Sequence, residues 1–193
     1  MAEESDAGTL ALPTLDPAPR VLIVAAPYYR AIADDLIAGA TAVLAGAGAG
    51  VEVIEVPGAL EIPTAVRLAA DGRGFEGYIA IGCIIRGETT HYETVCEESA
   101  RGLTLLGVER GLAIGNAILT VENRAQAEVR AAPGGQDKGG GAAAACLHLV
   151  ALARRFRGQP APPAGDAAGK GAGASGRQGG ILLADTGEGA TRA

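Results

Sequence analysis

The sequence predicts a three-layer α/β/α sandwich around a central sheet of four parallel strands. Apolar runs of strand length alternate along the chain with segments whose apolar residues recur at helical spacing. Several of these runs are continuous rather than alternating, which is typical of strands covered by helices on both faces. Strands that alternate with helices form parallel sheets through right-handed crossovers, so the expected topology is broadly flavodoxin-like.

Each strand and helix is assigned from its own residues. Apolar or β-branched runs place the strands at residues 21–26, 51–56, 77–85 and 112–120. The second strand stops at Pro57, because proline cannot donate to a sheet ladder. The helices are predicted at residues 32–44, 62–72, 95–106, 123–130 and 141–157. Pro63 suits an early position of the second helix.

Two segments of different composition flank a single predicted domain at residues 21–157. Residues 1–20 contain three prolines and are expected to form either an extended arm or plain disorder. Because a four-stranded sheet has exposed edges, the arm is a candidate to extend the sheet of a neighbouring subunit by one strand. An unchanged assembly size after deletion of residues 1–18 would contradict that hypothesis. Residues 158–193 are rich in Gly, Ala and Pro and are predicted to be a disordered tail.

Charge and composition exclude several classes of protein. The net charge of −6 and the pI near 5.0 argue against a nucleic-acid or anionic-membrane binder and favour a small-molecule site. The chain lacks a run of about 18 apolar residues. Its acidic start lacks the pattern of a signal peptide, so a cytoplasmic location is expected.

The cysteines fit neither a metal site nor a disulfide framework. Cys83, Cys96 and Cys146 are far apart in the sequence, and their number is odd. Cys83 and Cys146 have apolar neighbours and are therefore expected to be buried free thiols.

Ligands of open α/β sheets bind beyond the carboxyl ends of the strands, where helix N-termini direct N–H groups outward. The loop after the first strand holds Tyr28 and Tyr29, which are expected either to stack on a planar heterocycle or to pack under the loop. In the loop after the second strand, Glu61 either complements a helix dipole or binds the hydroxyls of a polyol.

The loop after the third strand carries the strongest signal. The segment Gly82–His91 combines glycines with Thr89 and Thr90 at a helix start, which predicts a nest for a phosphate. The glycine and lysine spacing of a Walker loop is absent. His91 falls in the first turn of a helix, where its charged form is disfavoured, and is expected to transfer protons. His148, between two leucines of the last helix, is expected to be structural.

A further group of polar residues is expected after the fourth strand. Its members are Asn116, Thr120, Glu122, Asn123, Arg130 and Lys138. Arg130 and Lys138 either supply the positive charge that an anionic ligand needs or belong to a solvated basic face.

Together these segments resemble the lumazine synthase family. The matching segments are Gly58–Pro63, Cys83–Glu97, Thr120–Arg130 and Lys138-Gly139, within a resemblance that covers residues 21–157. The family condenses 5-amino-6-ribitylamino-2,4-pyrimidinedione with 3,4-dihydroxy-2-butanone 4-phosphate. The product is 6,7-dimethyl-8-ribityllumazine, the precursor of riboflavin. The resemblance implies that no metal or organic cofactor is needed.

The resemblance also implies a role for individual residues. Tyr28 takes the place of the aromatic residue that stacks on the pyrimidine, and His91 that of the proton-transfer residue. Arg130 matches the phosphate-binding arginine contributed by an adjacent subunit, with Lys138 as its companion. The ribityl chain is implied to bind Ala59, Leu60 and Glu61, and the edge of the pyrimidine to bind Cys83, Ile84 and Ile85. The phosphate is implied to bind Gly87, Glu88, Thr89 and Thr90.

Family members form pentamers with the active site between subunits, and some assemble twelve pentamers into a hollow shell. The short loop Ala131–Asp137 resembles that of the shell-forming members. Four positions depart from the family pattern. Tyr29 stands where many relatives have Asn, Cys83 replaces Thr or Val, and Asn116 with Ala117 replaces a Phe-Gly pair near the pyrimidine.

Two other functions are compatible with the fold. One is a non-catalytic flavin- or lumazine-binding assembly protein, against which the joint presence of His91 and Arg130 argues. The other is an unrelated flavodoxin-like enzyme that acts on a phosphate ligand. The segment Gly58–Pro63 argues against it, because a mononucleotide binder does not need this segment.

Overall fold

The structure, a computed structural model, describes residues 10–72 and 74–158, in which strands and helices alternate. The strands are β1 (Arg20–Ala25), β2 (Gly50–Glu55), β3 (Gly77–Ile85) and β4 (Ala113–Val121). The helices are α1 (Arg30–Gly46), α2 (Glu61–Asp71), α3 (His91–Arg110), α4 (Arg124–Ala131) and α5 (Lys138–Arg157). The predicted order of elements is confirmed.

All four strands are parallel and lie in the order β2-β1-β3-β4. In the centre of the sheet, Val21 of β1 lies opposite Val51 of β2 on one side and Gly77 of β3 on the other. The carboxyl ends of parallel strands, and the loops that follow them, share one edge of the sheet. This arrangement confirms the predicted flavodoxin-like α/β/α fold.

Helices cover both faces of the sheet. Along β1, Val21 and Ile23 pack towards α1, α4 and α5, whereas Leu22 and Val24 pack towards α2 and α3. These four side chains are at most 1% exposed. Burial on both faces is the physical reason for the continuous apolar run of this strand.

Helix α3 begins where the predicted placement of His91 in a first helical turn requires, whereas helix α5 begins three residues earlier than the sequence predicts. Helix α3 starts at His91, so the helix begins directly at the proposed phosphate loop. Helix α5 starts at Lys138 rather than at Gly141, because the Asp137 side chain accepts a hydrogen bond from the N–H of Gly140 at 2.9 Å. The sequence does not predict this first turn, because it contains three glycines and glycine disfavours helix interiors.

Helix α5 packs against its neighbours backbone to backbone. A Cβ atom at Gly139 would overlap the carbonyl group of Leu36 on α1, and one at Gly115 of β4 would overlap the carbonyl group of Ala142 on α5. Such close approach requires small residues on both sides of the contact. It explains why an alanine-rich helix with few large side chains still completes the core.

We expect Gly115→Ala to destabilise the protein by about 1–3 kcal/mol, because the new methyl group must displace backbone rather than a flexible side chain. Gly46→Ala at the end of α1 is the matched control, since the space beside Gly46 is open within 4 Å. Thermal unfolding at one protein concentration compares the two variants with the wild type. Equal unfolding temperatures for both variants would contradict the close contact.

The segment before β1 contacts the domain at Leu15, which packs against the core beside α1, whereas Leu10 is 75% exposed. Arg154 of α5 donates hydrogen bonds to the Glu76 carboxylate and, at 2.7 Å, to the carbonyl oxygen of Pro17. Residues 159–193 of the predicted disordered tail at 158–193, and residues 1–9 of the predicted arm at 1–20, lie outside the described residues. Among the helices that are described, none has the length and apolar character needed to cross a membrane.

Candidate active site

A cavity of about 270 Å³ opens at the carboxyl edge of the sheet, and we call it the His91 cavity. Its walls come from the loops after β1, β2 and β3 and from the first turns of α3. The lining residues are Tyr28, Tyr29, Gly58, Ala59, Cys83, Ile84, Ile85, Gly87, Thr89, His91, Tyr92 and Val95. Three predicted loops therefore meet in one place, as the parallel sheet requires.

His91 lies at the mouth of this cavity because it is the first residue of α3, directly after the loop that follows β3. Its side chain is exposed, so an imidazole here can exchange protons with solvent and with a ligand. The preceding Thr90 occupies the capping position, and within the described residues its side chain makes no capping hydrogen bond. The first N–H groups of α3 and the neighbouring hydroxyls thus remain available to an anion.

The two tyrosines after β1 have different environments. The Tyr28 ring is 78% exposed at the cavity and is free to stack on a flat ligand. The Tyr29 ring is half-buried against the core and meets Tyr28 edge-on, with ring centroids 5.1 Å apart. Burial and the adjacent Tyr28 raise the pKa of Tyr29, so its hydroxyl stays protonated near neutral pH. Of the two predicted roles, packing under the loop therefore fits the environment of Tyr29, whereas stacking on a heterocycle fits that of Tyr28.

Cys83 forms part of the cavity floor as a neutral thiol. Burial raises its pKa to about 11, against a smaller opposing effect of Arg124. A thiol with this pKa is a poor nucleophile at neutral pH, so Cys83 shapes the cavity rather than reacting in it. Cys146 is also buried, with a pKa raised to about 12 by desolvation. The prediction of two buried free thiols is confirmed.

The residues of the segment after β2 differ in how close they lie to the cavity. Ala59 lines it and is 8% exposed. Leu60 and Glu61 are exposed beside it at the start of α2, and the Glu61 carboxylate lies over Gly58, another wall residue. Glu61 is thus placed at the rim, where a carboxylate can accept hydrogen bonds from hydroxyl groups.

The basic residues lie in a second cavity of about 380 Å³ along the edge strand β4, which we call the Arg130 cavity. It is lined by Asn116, Ala117, Ile118, Leu119, Thr120, Arg130, Lys138, Gly141, Ala142 and Ala145. Arg130 is in the last turn of α4 and donates to the Gln126 carbonyl oxygen at 3.0 Å, which fixes its direction. Lys138 begins α5. The structure therefore brings Arg130 and Lys138 together, but not with His91.

Asn116 and Thr120 lie within β4, inside the predicted strand at residues 112–120, so the expectation that these two residues follow the strand is wrong. Asn116 is on an exposed position of this edge strand, and its Oδ1 accepts a hydrogen bond from the N–H of Ile118 at 2.9 Å. Of the other polar residues predicted there, Asn123 caps α4 by accepting from the N–H of Gln126.

Some site residues do not stand out in the sequence. Tyr92 and Val95 line the His91 cavity one and four positions after His91, on one side of α3. Helical spacing predicts this pair, because Val95 lies four positions after His91 and Tyr92 lies three positions before Val95. Conversely, Glu88 and Thr90 are exposed in the loop and are not among the residues that line the cavity.

Acidic, thiol and imidazole groups do not gather into a metal centre in the described part of the chain. No three or more His, Cys, Asp or Glu residues there are arranged to hold an ion.

Comparison with known proteins gives one consistent family. Residues 18–154 match the model of the family described as 6,7-dimethyl-8-ribityllumazine synthase. A protein of that name from Novosphingobium aromaticivorans is 57% identical over 137 residues, covering 71% of this chain and 98% of its own. One from Azorhizobium caulinodans is 55% identical over 141 residues, covering 70% of this chain and 87% of its own. One from Jannaschia sp. is 50% identical over 156 residues, covering 81% and 86%. The chain therefore belongs to the 6,7-dimethyl-8-ribityllumazine synthase family, and it is an enzyme of riboflavin biosynthesis.

Proposed function

We propose that each active site joins the His91 cavity of one copy to the Arg130 cavity of its neighbour. The reaction is the condensation of 5-amino-6-ribitylamino-2,4-pyrimidinedione with 3,4-dihydroxy-2-butanone 4-phosphate to 6,7-dimethyl-8-ribityllumazine, with release of phosphate and water. The observation that carries this proposal is the division of the functional groups between two cavities with no residue in common. One cavity holds the proton-transfer group, and the other holds the cations.

The pyrimidine is assigned to the His91 cavity. Tyr28 offers an exposed ring on which a flat heterocycle stacks. The backbone of Cys83, Ile84 and Ile85 at the end of β3 offers N–H and C=O groups to the edge of the ring. Glu61 at the rim accepts hydrogen bonds from the ribityl hydroxyls.

The phosphate needs donors and positive charge from different sources. The loop from Gly87 to Thr90 and the first turn of α3 supply N–H groups and hydroxyls. The described residues that line the His91 cavity include neither Lys nor Arg. Arg130 of the adjacent copy, with Lys138 beside it, supplies the charge that this half of the site lacks.

The chemistry requires orientation and proton transfer more than new covalent groups on the protein. The pyrimidine amine attacks the ketone carbon and water leaves to give an imine. Phosphate then leaves and the product tautomerises, after which the ribitylamino nitrogen attacks the remaining carbonyl, a second water leaves and the ring closes. His91 at the cavity mouth is placed to move protons in these steps, which is worth about 10²–10⁴-fold for a well-placed group. Holding both substrates together contributes as much or more.

We propose a homopentamer as the smallest complete enzyme. An apolar groove of about 370 Å³ runs between α3, β4 and α5 and is lined in part by Val108, Ile114 and Leu149. Val108 is 80% exposed, and Asn116 lines both this groove and the Arg130 cavity. A neighbouring copy that covers this groove brings its own surface next to the Arg130 cavity, as a shared site requires. The short loop 131–137 favours closure of the pentamers into a shell.

The test mixes purified protein with both substrates and follows the fluorescence of the lumazine product against an enzyme-free control, because the condensation also proceeds slowly unaided. Acceleration that is lost in His91→Ala supports the proposal. Binding of the pyrimidine or of riboflavin without acceleration would contradict it and favour a non-catalytic flavin-binding role.

A further inference from the structure

Arg86 lies in the loop proposed to bind phosphate, yet its guanidinium is committed elsewhere. It pairs with Glu93 in the first turn of α3, and its Nε donates to Glu122, just after β4, at 2.7 Å. Its guanidinium carbon also lies 4.1 Å from the ring centroid of Tyr92, a wall residue of the His91 cavity. Arg86 therefore contacts both the start of α3 and the segment after β4. The carboxylates of Glu93 and Glu122 both raise the pKa of Arg86.

Hydrogen bonds continue from this cluster to the Arg130 cavity. The backbone N–H of Glu122 donates to Oε1 of Gln126 at 3.0 Å. The carbonyl oxygen of Gln126 in turn accepts from Arg130 at 3.0 Å. One connected path therefore runs from the first turn of α3, where His91 stands, through Arg86 to Arg130.

We propose that Arg86 is a positioning residue that holds the two half-sites of one chain in register. It braces the helix start that carries His91 against the segment that directs Arg130. Because each chain gives its His91 cavity to one active site and its Arg130 cavity to another, Arg86 links successive sites around the assembly. This inference deepens the proposed function and rests on it.

The planar guanidinium suits this task because its donors point in several fixed directions in one plane. It spans two carboxylates while its face covers an aromatic ring. A lysine at this position keeps the positive charge but supplies only a point-like ammonium. The variant Arg86→Lys therefore shows whether the positive charge alone is sufficient or whether the geometry of the guanidinium is also required.

The experiment compares steady-state kinetics of Arg86→Met, Arg86→Lys and Glu122→Gln in the assembled enzyme. Arg101→Met is the matched control, since Arg101 pairs with Glu98 on the exposed face of α3. We expect Arg86→Met to lower kcat by about tenfold and to raise KM for the butanone phosphate severalfold, because small misplacements of reacting groups are costly. We expect KM for the pyrimidine to stay within about twofold, since the side-chain partners of Arg86 are Glu93, Glu122 and Tyr92, and none of them is among the groups assigned to the pyrimidine.

The split between the two KM values distinguishes positioning from folding, because a loss of folded enzyme lowers the rate without changing either KM. Glu122→Gln removes the negative charge that pairs with Arg86 without altering the loop, and it should reproduce part of the rise in KM for the phosphate substrate. Arg86→Lys should recover only part of the loss. If the wild type is active and Arg86→Met behaves like Arg101→Met, or if Arg86→Lys is fully active, Arg86 has no positioning role. If the wild type gives no acceleration, the proposed function itself fails, whatever the variants do.

Discussion

Arg130→Ala is expected to lower kcat/KM by about a hundredfold or more, at least as much as His91→Ala. The phosphate is the most strongly charged group of the substrates, and charge-assisted hydrogen bonds contribute about 1.5–3 kcal/mol each. The hydrogen bond from Arg130 to the carbonyl oxygen of Gln126 directs the Arg130 side chain into the cavity that it shares with Lys138. Without it, the substrate keeps the donors of the β3 loop but loses its counter-charge.

The same assay measures both variants with each substrate varied in turn. Arg130→Lys is the control, because it keeps the charge and loses the bidentate geometry, and it should fall between the wild type and Arg130→Ala. An Arg130→Ala enzyme that is much more active than His91→Ala would contradict the ranking. It would show that Arg130 belongs to a solvated basic face.

Val108→Glu is expected to prevent assembly and to lower activity strongly, although each chain keeps both of its half-sites. Val108 is 80% exposed in the groove between α3, β4 and α5. A carboxylate buried there without a partner costs several kcal/mol, and a symmetric ring repeats that cost at every interface. Activity should therefore fall by about a hundredfold or more, because no Arg130 reaches a His91 cavity.

Light scattering after size exclusion measures the assembly, and far-UV circular dichroism checks that the chain remains folded. Ala42→Glu introduces the same charge at an exposed position of α1 and should leave both properties unchanged. An isolated Val108→Glu chain with wild-type activity would contradict a site shared between copies.

The sequence predicts the fold well because its strands have the plainest physical signature. A strand buried on both faces must be continuously apolar, so β1 and β3 are found within one residue of their true bounds. Helix starts depend instead on single capping contacts. The start of α5 is missed because Asp137 caps a first turn made mostly of glycine.

The His91 cavity is also predictable to a large extent, since parallel strands bring their following loops to one edge. The direction of individual side chains is not. Arg86 stands next to the glycines of the phosphate loop, and nothing in its neighbours shows that two carboxylates 7 and 36 positions away engage it. The polar character of Asn116 favours a position after the fourth strand, whereas the strand period places it on an exposed position within β4.

Mixing the two inactive variants tests most directly whether one active site needs two copies. His91→Ala and Arg130→Ala chains are co-expressed or refolded together, and product formation is compared with that of each variant alone. In randomly mixed rings about a quarter of the interfaces join an intact His91 cavity to an intact Arg130 cavity, so about a quarter of the wild-type activity should return. If the mixture is no more active than the separate variants, His91 and Arg130 must act within one chain, and the shared site is wrong.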